Sequence, residues 1–519
     1  MRTGRIRTFL GMAAAVVLLT VSAAAAPAAG RAAPAAPLVT VVRTAPGVGL
    51  RTEVYRPAGP GPHPLLVMPG PFLVPAEVYS LRALRFAAAG FVVVAYQPRG
   101  FLGSGGTYGL AGPADVADAS KMITWALEHT AADPHRVGLC GVSYGAGLGL
   151  LTAAADRRVR AVAALSGWAD LLDVTYGGGT RRLRVPLLQA LIALAEARLD
   201  PELGPVLRDL ATSPEPTPAF RAFARARSPL TYRDRLNANG TAVLMAHGWL
   251  DPLEPPNGIG AFFDGLTVPK RLEYRRGGHA TQEIPGFALP SEEWAGAQRW
   301  LERRLGVRSD GVGEGPPVLV EVRGHGLAHP EERFARPWPA ATAPRAPRLE
   351  PLTGADPTIN AFADSGANGG SLMVSGLLDQ LLGISPPALP RLLPPTAAAV
   401  WQTAPARHVQ RLRGIPALRT TVTPSAPAGT FIAYLYDVTP TGTAQLITHA
   451  PYSFAHHTPA TPLHAHLDLF ATAYDLPAGH RLALVIDGLD PLYLSRNRPG
   501  STLTFHSDRT ELVLPTRPD

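Results

Sequence analysis

One cysteine, Cys140, occurs in 519 residues, so no internal disulfide can hold the fold, and stability has to come from core burial. Charged residues make up only 17% of the chain and no internal repeat is visible, which argues against a solvated tail, a coiled coil or a solenoid. Beyond the first 30 residues no apolar run is long enough to span a bilayer. The net charge of +8 is no argument for nucleic acid: Arg2, Arg5, Arg7 and Arg31 lie in residues 1–33 without any acid, and their removal leaves +4.

What is present begins with a leader. Arg2, Arg5 and Arg7 precede an apolar stretch from Phe9 to Val21, followed by alanines and Pro27. This is the pattern of a secretory signal in residues 1–33, cleaved between about Ala26 and Ala33, and it predicts a secreted protein. A membrane anchor is the competing reading, since the run to Ala26 reaches the lower limit for a span. The alanine content and Pro27 favour cleavage, so no stable anchor is expected.

From residue 37 to 306 strand-like and helix-like segments alternate, as in a largely parallel sheet covered by helices. "PLLVM" (64–68), "FVVVAY" (91–96), "RVGLCG" (136–141), "RAVAALSG" (160–167), "TAVLMAHG" (241–248) and "KRLEYRRGGH" (270–279) read as strands. "AEVYSLRALRFAAAG" (76–90), "GPADVADASKMITWALEH" (112–129), "YGAGLGLLTAAAD" (144–156) and "SEEWAGAQRWLERRLG" (291–306) read as helices, and "ADPH" (132–135) as a turn. Residues 169–235 interrupt the alternation with a helical, arginine-rich insert including "RRLRVPLLQALIALAEARL", expected as a cap over the C-terminal edge of the sheet. The predicted core is therefore 37–168 plus 236–306. Residues 310–519 turn to short β-rich runs between Pro, Gly, Thr and Ser, predicting a second domain, an antiparallel sandwich or jelly roll. The apolar stretch 376–396 is expected to pack against the first domain or to cover the mouth of a site.

The chemistry centres on "GVSYGA", where Ser143 stands between Gly141 and Gly145. A serine hydroxyl is a poor nucleophile and needs a base within reach, itself oriented by a carboxylate. A serine on a tight strand-to-helix turn, followed in the chain by an acid and then a histidine, is the order of an α/β-hydrolase. Asp251, after the strand 241–248, and His279, after the strand 270–279, complete that order; Glu254 is the reserve acid, and His247 is placed beside the strand end. The backbone N–H of Tyr144 is the expected first oxyanion donor, and "PGPF" (69–72) should supply the second. Pro71 has no N–H, which leaves Phe72, favoured, or Gly70. Trp168, Trp249 and Phe72 are candidates to line an apolar acyl pocket, with Glu254 beside it. Cys140 reads as a buried, inert thiol. His464 and His466 share one strand face, but no neighbouring cysteine or acid completes a metal site.

These motifs, with "PRGFLGSGGTY" (98–108) and "LPAGHRLALVIDGLDPLY" (476–493), resemble the cocaine esterase and X-Pro dipeptidyl-peptidase (S15-like) family of serine hydrolases. The resemblance runs from about residue 45 to 515. It implies an α/β-hydrolase core, an inserted helical cap, a C-terminal jelly roll, and Ser143, Asp251 and His279 as nucleophile, acid and base. In that family a tyrosine after the third strand commonly donates its hydroxyl to the oxyanion, and the matching place here holds Phe72. The reaction expected is hydrolysis of a carboxylic ester or amide, or of a short peptide, without metal or organic cofactor. An X-Pro dipeptidyl-peptidase is one alternative, needing carboxylates to bind a free amino group, for which only Glu254 is at hand. A catalytically weak protein that binds carbohydrate or cell-wall material is the alternative of another class.

Overall fold

The computed structural model describes residues 36–182, 198–308, 315–337, 343–370 and 374–517. The leader at 1–33 and residues 183–197, the centre of the arginine-rich insert, lie outside the described residues.

The first domain is built on a ten-stranded sheet. Its strands are β1 (Leu38–Ala45), β2 (Val48–Tyr55), β3 (His63–Pro69), β4 (Val92–Tyr96), β5 (Ala132–Val142), β6 (Val159–Leu165), β7 (Ala242–Gly248), β8 (Lys270–Arg275), β9 (Val318–Glu321) and β10 (Glu331–Phe334). The order is β1-β2-β4-β3-β5-β6-β7-β8-β9-β10, parallel from β4 to β9 and antiparallel at both margins. Continuous apolar runs make the central strands, and both faces are covered: Val67, Leu139, Val162 and Met245 face one core, Leu66, Cys140, Ala163 and Leu244 the other. Helices Pro113–His129 and Tyr144–Ala155 pack on the first face, Ser80–Ala88 and Glu292–Arg304 on the second. Cys140 is fully buried, and that burial pushes its thiol up to about 12.

Two boundaries differ from expectation. The turn predicted at "ADPH" is a bulge inside β5, whose pairing with β3 jumps from Pro64 and Asp133 to Leu65 and Val137. Asp133 Oδ1 accepts from the backbone of His135 there, so the turn chemistry is real but local. The first domain also does not end near 306. β9, from the run assigned to the second domain, pairs in parallel with β8, and β10 closes the edge. Val318, Leu319 and Val320 are buried there, and without them the edge of β8 would be left unpaired.

The remaining β-rich part forms two antiparallel sheets, of seven and six strands, enclosing one core with Trp401, Leu412, Phe431, Leu484 and Phe505 at its centre. The apolar stretch after residue 374 forms a helix, Val374–Leu382, that packs on the first domain. Asp379 Oδ2 accepts from Gly277 N, and Arg276 donates to the Asp379 carbonyl, so this helix braces the loop that carries His279. Among the described residues no helix is long and apolar enough to cross a membrane.

Candidate active site

Ser143 sits where β5 ends and the helix Tyr144–Ala155 begins, with φ 54° and ψ −114°. For a residue with a side chain this backbone is strained, and the surroundings force it. A Cβ on Gly141 would lie 2.5 Å from the Gly145 carbonyl carbon, and one on Gly145 would overlap the Pro69 carbonyl oxygen. The flanking glycines therefore let two strand ends and a helix start crowd together, lifting the serine hydroxyl off the sheet.

The three residues separated along the chain meet here. Ser143 Oγ is 2.8 Å from His279 Nε2, and His279 Nδ1 is 2.9 Å from Asp251 Oδ2. The carboxylate is itself fixed, since Asp251 Oδ1 accepts from the backbone N–H of Leu253 and of Glu254. Burial works to raise the Asp251 carboxyl, but the facing imidazole outweighs it and holds the group below its usual value. For His279 burial opposes the charged form, yet the Asp251 charge and hydrogen bond, with Glu254 and Glu283 further off, raise it to about 9. The loop after His279 is held by Ser166, which accepts from Ala280 N and donates to Glu283 Oε1.

His247 lies at the end of β7 as expected, but closer to the chemistry than a packing role needs. Its Nε2 is 2.5 Å from the Glu254 carbonyl oxygen and 3.7 Å from Asp251 Oδ2. Burial lowers its basicity, so it stays neutral and donates through Nε2. Glu254 is buried, and desolvation first, then the Asp251 charge, raise it well above a normal carboxyl; its Oε2 has no hydrogen-bond partner.

A cavity of about 120 Å³ opens above Ser143 and His279. Phe72, Trp168 and Glu254 line it, as predicted from the sequence. Trp249 does not. Its ring is stacked on Tyr274 at 4.5 Å inside the first core, and its Nε1 donates to the Glu321 carbonyl. It follows the inward-facing end of β7, and the added strand β9 covers it. Most of the remaining lining was not foreseen, including Tyr108 and Leu110 from the loop after β4 and Leu171, Val174, Leu210 and Phe223 from the insert. The helix Pro218–Ala226 alone carried a readable signal, with Thr217 capping Phe220 N and the two phenylalanines three apart.

Tyr144 and Phe72, the expected oxyanion donors, both line the cavity beside Ser143. Tyr144 begins the helix, and the backbone N–H of each makes no hydrogen bond among the described residues. The Phe72 ring packs edge-on to Phe101 at 5.6 Å and against Tyr108 at 5.5 Å. His464 shares a hydrogen bond with Thr421, and His466 stands 3.7 Å from Asp468, on the second domain.

With this geometry in view, residues 46–281 match the X-Pro dipeptidyl-peptidase (S15 family) model, and residues 394–517 match the X-Pro dipeptidyl-peptidase C-terminal non-catalytic domain. The chain belongs to the cocaine esterase and X-Pro dipeptidyl-peptidase (S15) family. This S15 chain is 31% identical over 243 residues to the cocaine esterase of Rhodococcus sp. (strain MB1 Bresler), covering 40% of this chain and 42% of that protein. It is 30% identical over 162 residues to an uncharacterized 31.7 kDa protein of Escherichia coli, covering 31% of this chain and 56% of that one. The S15 chain thus spans about half the length of the curated relatives it matches. The same architecture is seen in the crystal structure of an aminopeptidase from a marine sediment Thaumarchaeota archaeon, with a TM-score of 0.71, 14% identity, and coverage of 96% of this chain and 98% of that one.

Proposed function

We propose that this chain is a secreted serine hydrolase that cleaves carboxylic esters or amides through a covalent acyl-enzyme, with Ser143 as nucleophile, His279 as base and Asp251 as orienting acid. The observation that carries the reading is the continuous proton path from Ser143 Oγ to His279 at 2.8 Å and from His279 to Asp251 at 2.9 Å. His279 takes the hydroxyl proton as Ser143 attacks the carbonyl carbon, and gives it to the leaving alcohol or amine. Water then attacks the acyl-enzyme, His279 again holding the proton, and the acid leaves. Asp251 stabilises the imidazolium throughout, and the backbone N–H groups of Tyr144 and Phe72 receive the developing oxyanion. Secretion rests on the leader pattern alone.

The lining supports a substrate with an apolar acyl group. Phe72, Trp168, Leu171, Val174, Phe220 and Phe223 surround the space next to Ser143, and Glu254 is its acidic member. A free amino terminus, as an X-Pro dipeptidyl-peptidase would need, has one carboxyl to meet it among the described lining residues, Glu254. Burial favours the neutral form of that acid, so an apolar ester is the better fit. A fluorophosphonate probe tests the reading: covalent labelling at Ser143, lost in Ser143→Ala and strongly slowed in His279→Ala, supports it. Well-folded protein that takes no label would instead point to a binding role. Aryl esters of graded acyl length, compared with an X-Pro anilide, separate esterase from peptidase, since only the anilide calls for recognition of an amino group.

A further inference from the structure

Two glycines precede His279, and Gly277 has φ 106°, a backbone that residues with side chains rarely adopt. Having no side chains to pack, they leave the position of the loop to hydrogen bonds. Gly277 is gripped from both sides: its N–H donates to Asp379 Oδ2 at 3.1 Å, and its carbonyl accepts from Leu250 N at 2.9 Å. Leu250 is the residue before Asp251. Gly277 thus stands between Asp379 and the loop of the acid, two residues ahead of His279, and its place governs how closely His279 and Asp251 approach.

Asp379 is itself immobilised from the C-terminal domain. It is 2% exposed, and a carboxylate taken out of water needs partners for both oxygens. Oδ1 accepts from Arg323 Nε at 3.2 Å and from Ser385 Oγ at 3.1 Å, which leaves Oδ2 for Gly277. Arg323, also buried, directs the rest of its fork to the C-terminal domain: Nη1 donates to the Ile447 carbonyl at 2.7 Å and Nη2 to the Leu446 carbonyl at 3.0 Å. Its backbone is bound to the same domain, the N–H donating to the Ala473 carbonyl and the carbonyl accepting from Asp475 N. The contacts run from the strand Ala444–Phe454 through Arg323 and Asp379 to Gly277. Packing agrees with them. A Cβ on Gly376, in the same helix as Asp379, would lie 2.4 Å from Gly278 N, so the helix backbone rests directly on the loop.

We propose that Asp379, held by Arg323, is a positioning residue that fixes Gly277 and through it the spacing of His279 from Asp251, so that the C-terminal domain sets the geometry of the base, a role that rests on Ser143, His279 and Asp251 acting as the triad. Burial opposes the charged imidazole; Asp251 overcomes that, with Glu254 and Glu283 adding to it, and His247 is the other titratable group beside the pair. Lengthening the 2.9 Å contact of His279 with Asp251 weakens the leading attraction. A displaced loop therefore has two signatures: a slower reaction on the alkaline plateau, and a less basic imidazole.

The rate of fluorophosphonate labelling of the full chain, followed between about pH 5 and 10, reads both. In Asp379→Asn the amide keeps the shape of the carboxylate but offers one acceptor oxygen where Gly277 and Arg323 both donate. The plateau rate should fall roughly tenfold or more. The acid limb should move from near pH 9 toward the ordinary histidine value. A plateau and limb equal to those of the wild type overturn the proposal, as does a lower plateau with the limb unmoved, since a merely structural role leaves the basicity of His279 alone. Gly376→Ala separates position from charge, and decides if Asp379→Asn does not fold. It alters no charge, and its methyl forces the helix off Gly278. The limb must again move to lower pH, and an unmoved limb overturns the proposal. A wild type that takes no label at any pH overturns the triad assignment and this role with it; a labelled wild type with unmoved variants overturns this role alone.

Discussion

Gly145 lies so close to the carbonyl oxygen of Pro69 that any Cβ at 145 would overlap it. The contact joins the helix start behind Ser143 to the end of β3, from which the loop bearing Phe72 departs. Because the obstacle is backbone, Gly145→Ala must move one of the two. A displacement of about 1 Å at such a site costs on the order of 100-fold in rate. The expected outcome is a fluorophosphonate labelling rate reduced by about that factor, together with a lower melting temperature.

Gly149 gives the opposite result one turn further on. Its Cβ would meet Leu139 and Val162 at 3.7 Å, ordinary van der Waals contact, inside a regular helix. Gly149→Ala should therefore stabilise the protein by about 0.5–1 kcal/mol through helix propensity and a less free unfolded chain. Equilibrium urea unfolding measures it, and a destabilised variant would mean that the helix packs more tightly on β5 and β6 than these distances allow.

Asp251→Asn leaves an oxygen to accept from Leu253 and Glu254 N–H, but turns an N–H toward His279 Nδ1. The imidazole is then held in the tautomer whose Nε2 carries the proton and cannot receive another from Ser143. A loss of about 10⁴ in kcat with little change in fold is expected. Ester turnover and the melting curve, measured together, check both halves.

The sequence disclosed the site more fully than the space around it. Ser143, Asp251 and His279 were legible because each follows a strand whose apolar run is hard to mistake, and the chemistry demands their order. Trp249 was misplaced because an aromatic beside a catalytic loop carries no mark of which face it takes. β9, which decides that, lay in a segment with the composition of the other domain.

The cap side of the cavity should set acyl length. Leu210 lines it from the helix Leu203–Thr212 and is buried. Leu210→Phe shortens the space without touching Ser143 or His279. For octanoate and longer aryl esters kcat/KM should fall at least about 10-fold, as expected for one or two methylenes excluded from a hydrophobic pocket. Acetate esters should be hydrolysed at the original rate, and a uniform loss across the series would show that the cap does not contact the acyl chain.

The base must be neutral to accept a proton, and His279 is raised from the ordinary histidine value to about 9. Burial alone would have lowered it; Asp251 chiefly, through charge and hydrogen bond, reverses the sign, with Glu254 and Glu283 adding to it. A raised value means that the protonated, inactive form persists to higher pH. The kcat/KM of the free enzyme should therefore climb through neutrality and level off only on the alkaline side, near pH 9, rather than near pH 6.5. Glu283→Gln removes one negative charge that favours imidazolium, so its profile should shift toward lower pH. Ser166 can still donate to the amide oxygen, which keeps the hydrogen bond to that loop. A profile that moves to higher pH, or a wild-type limb already flat at pH 7, would contradict the electrostatic order assigned to these four side chains.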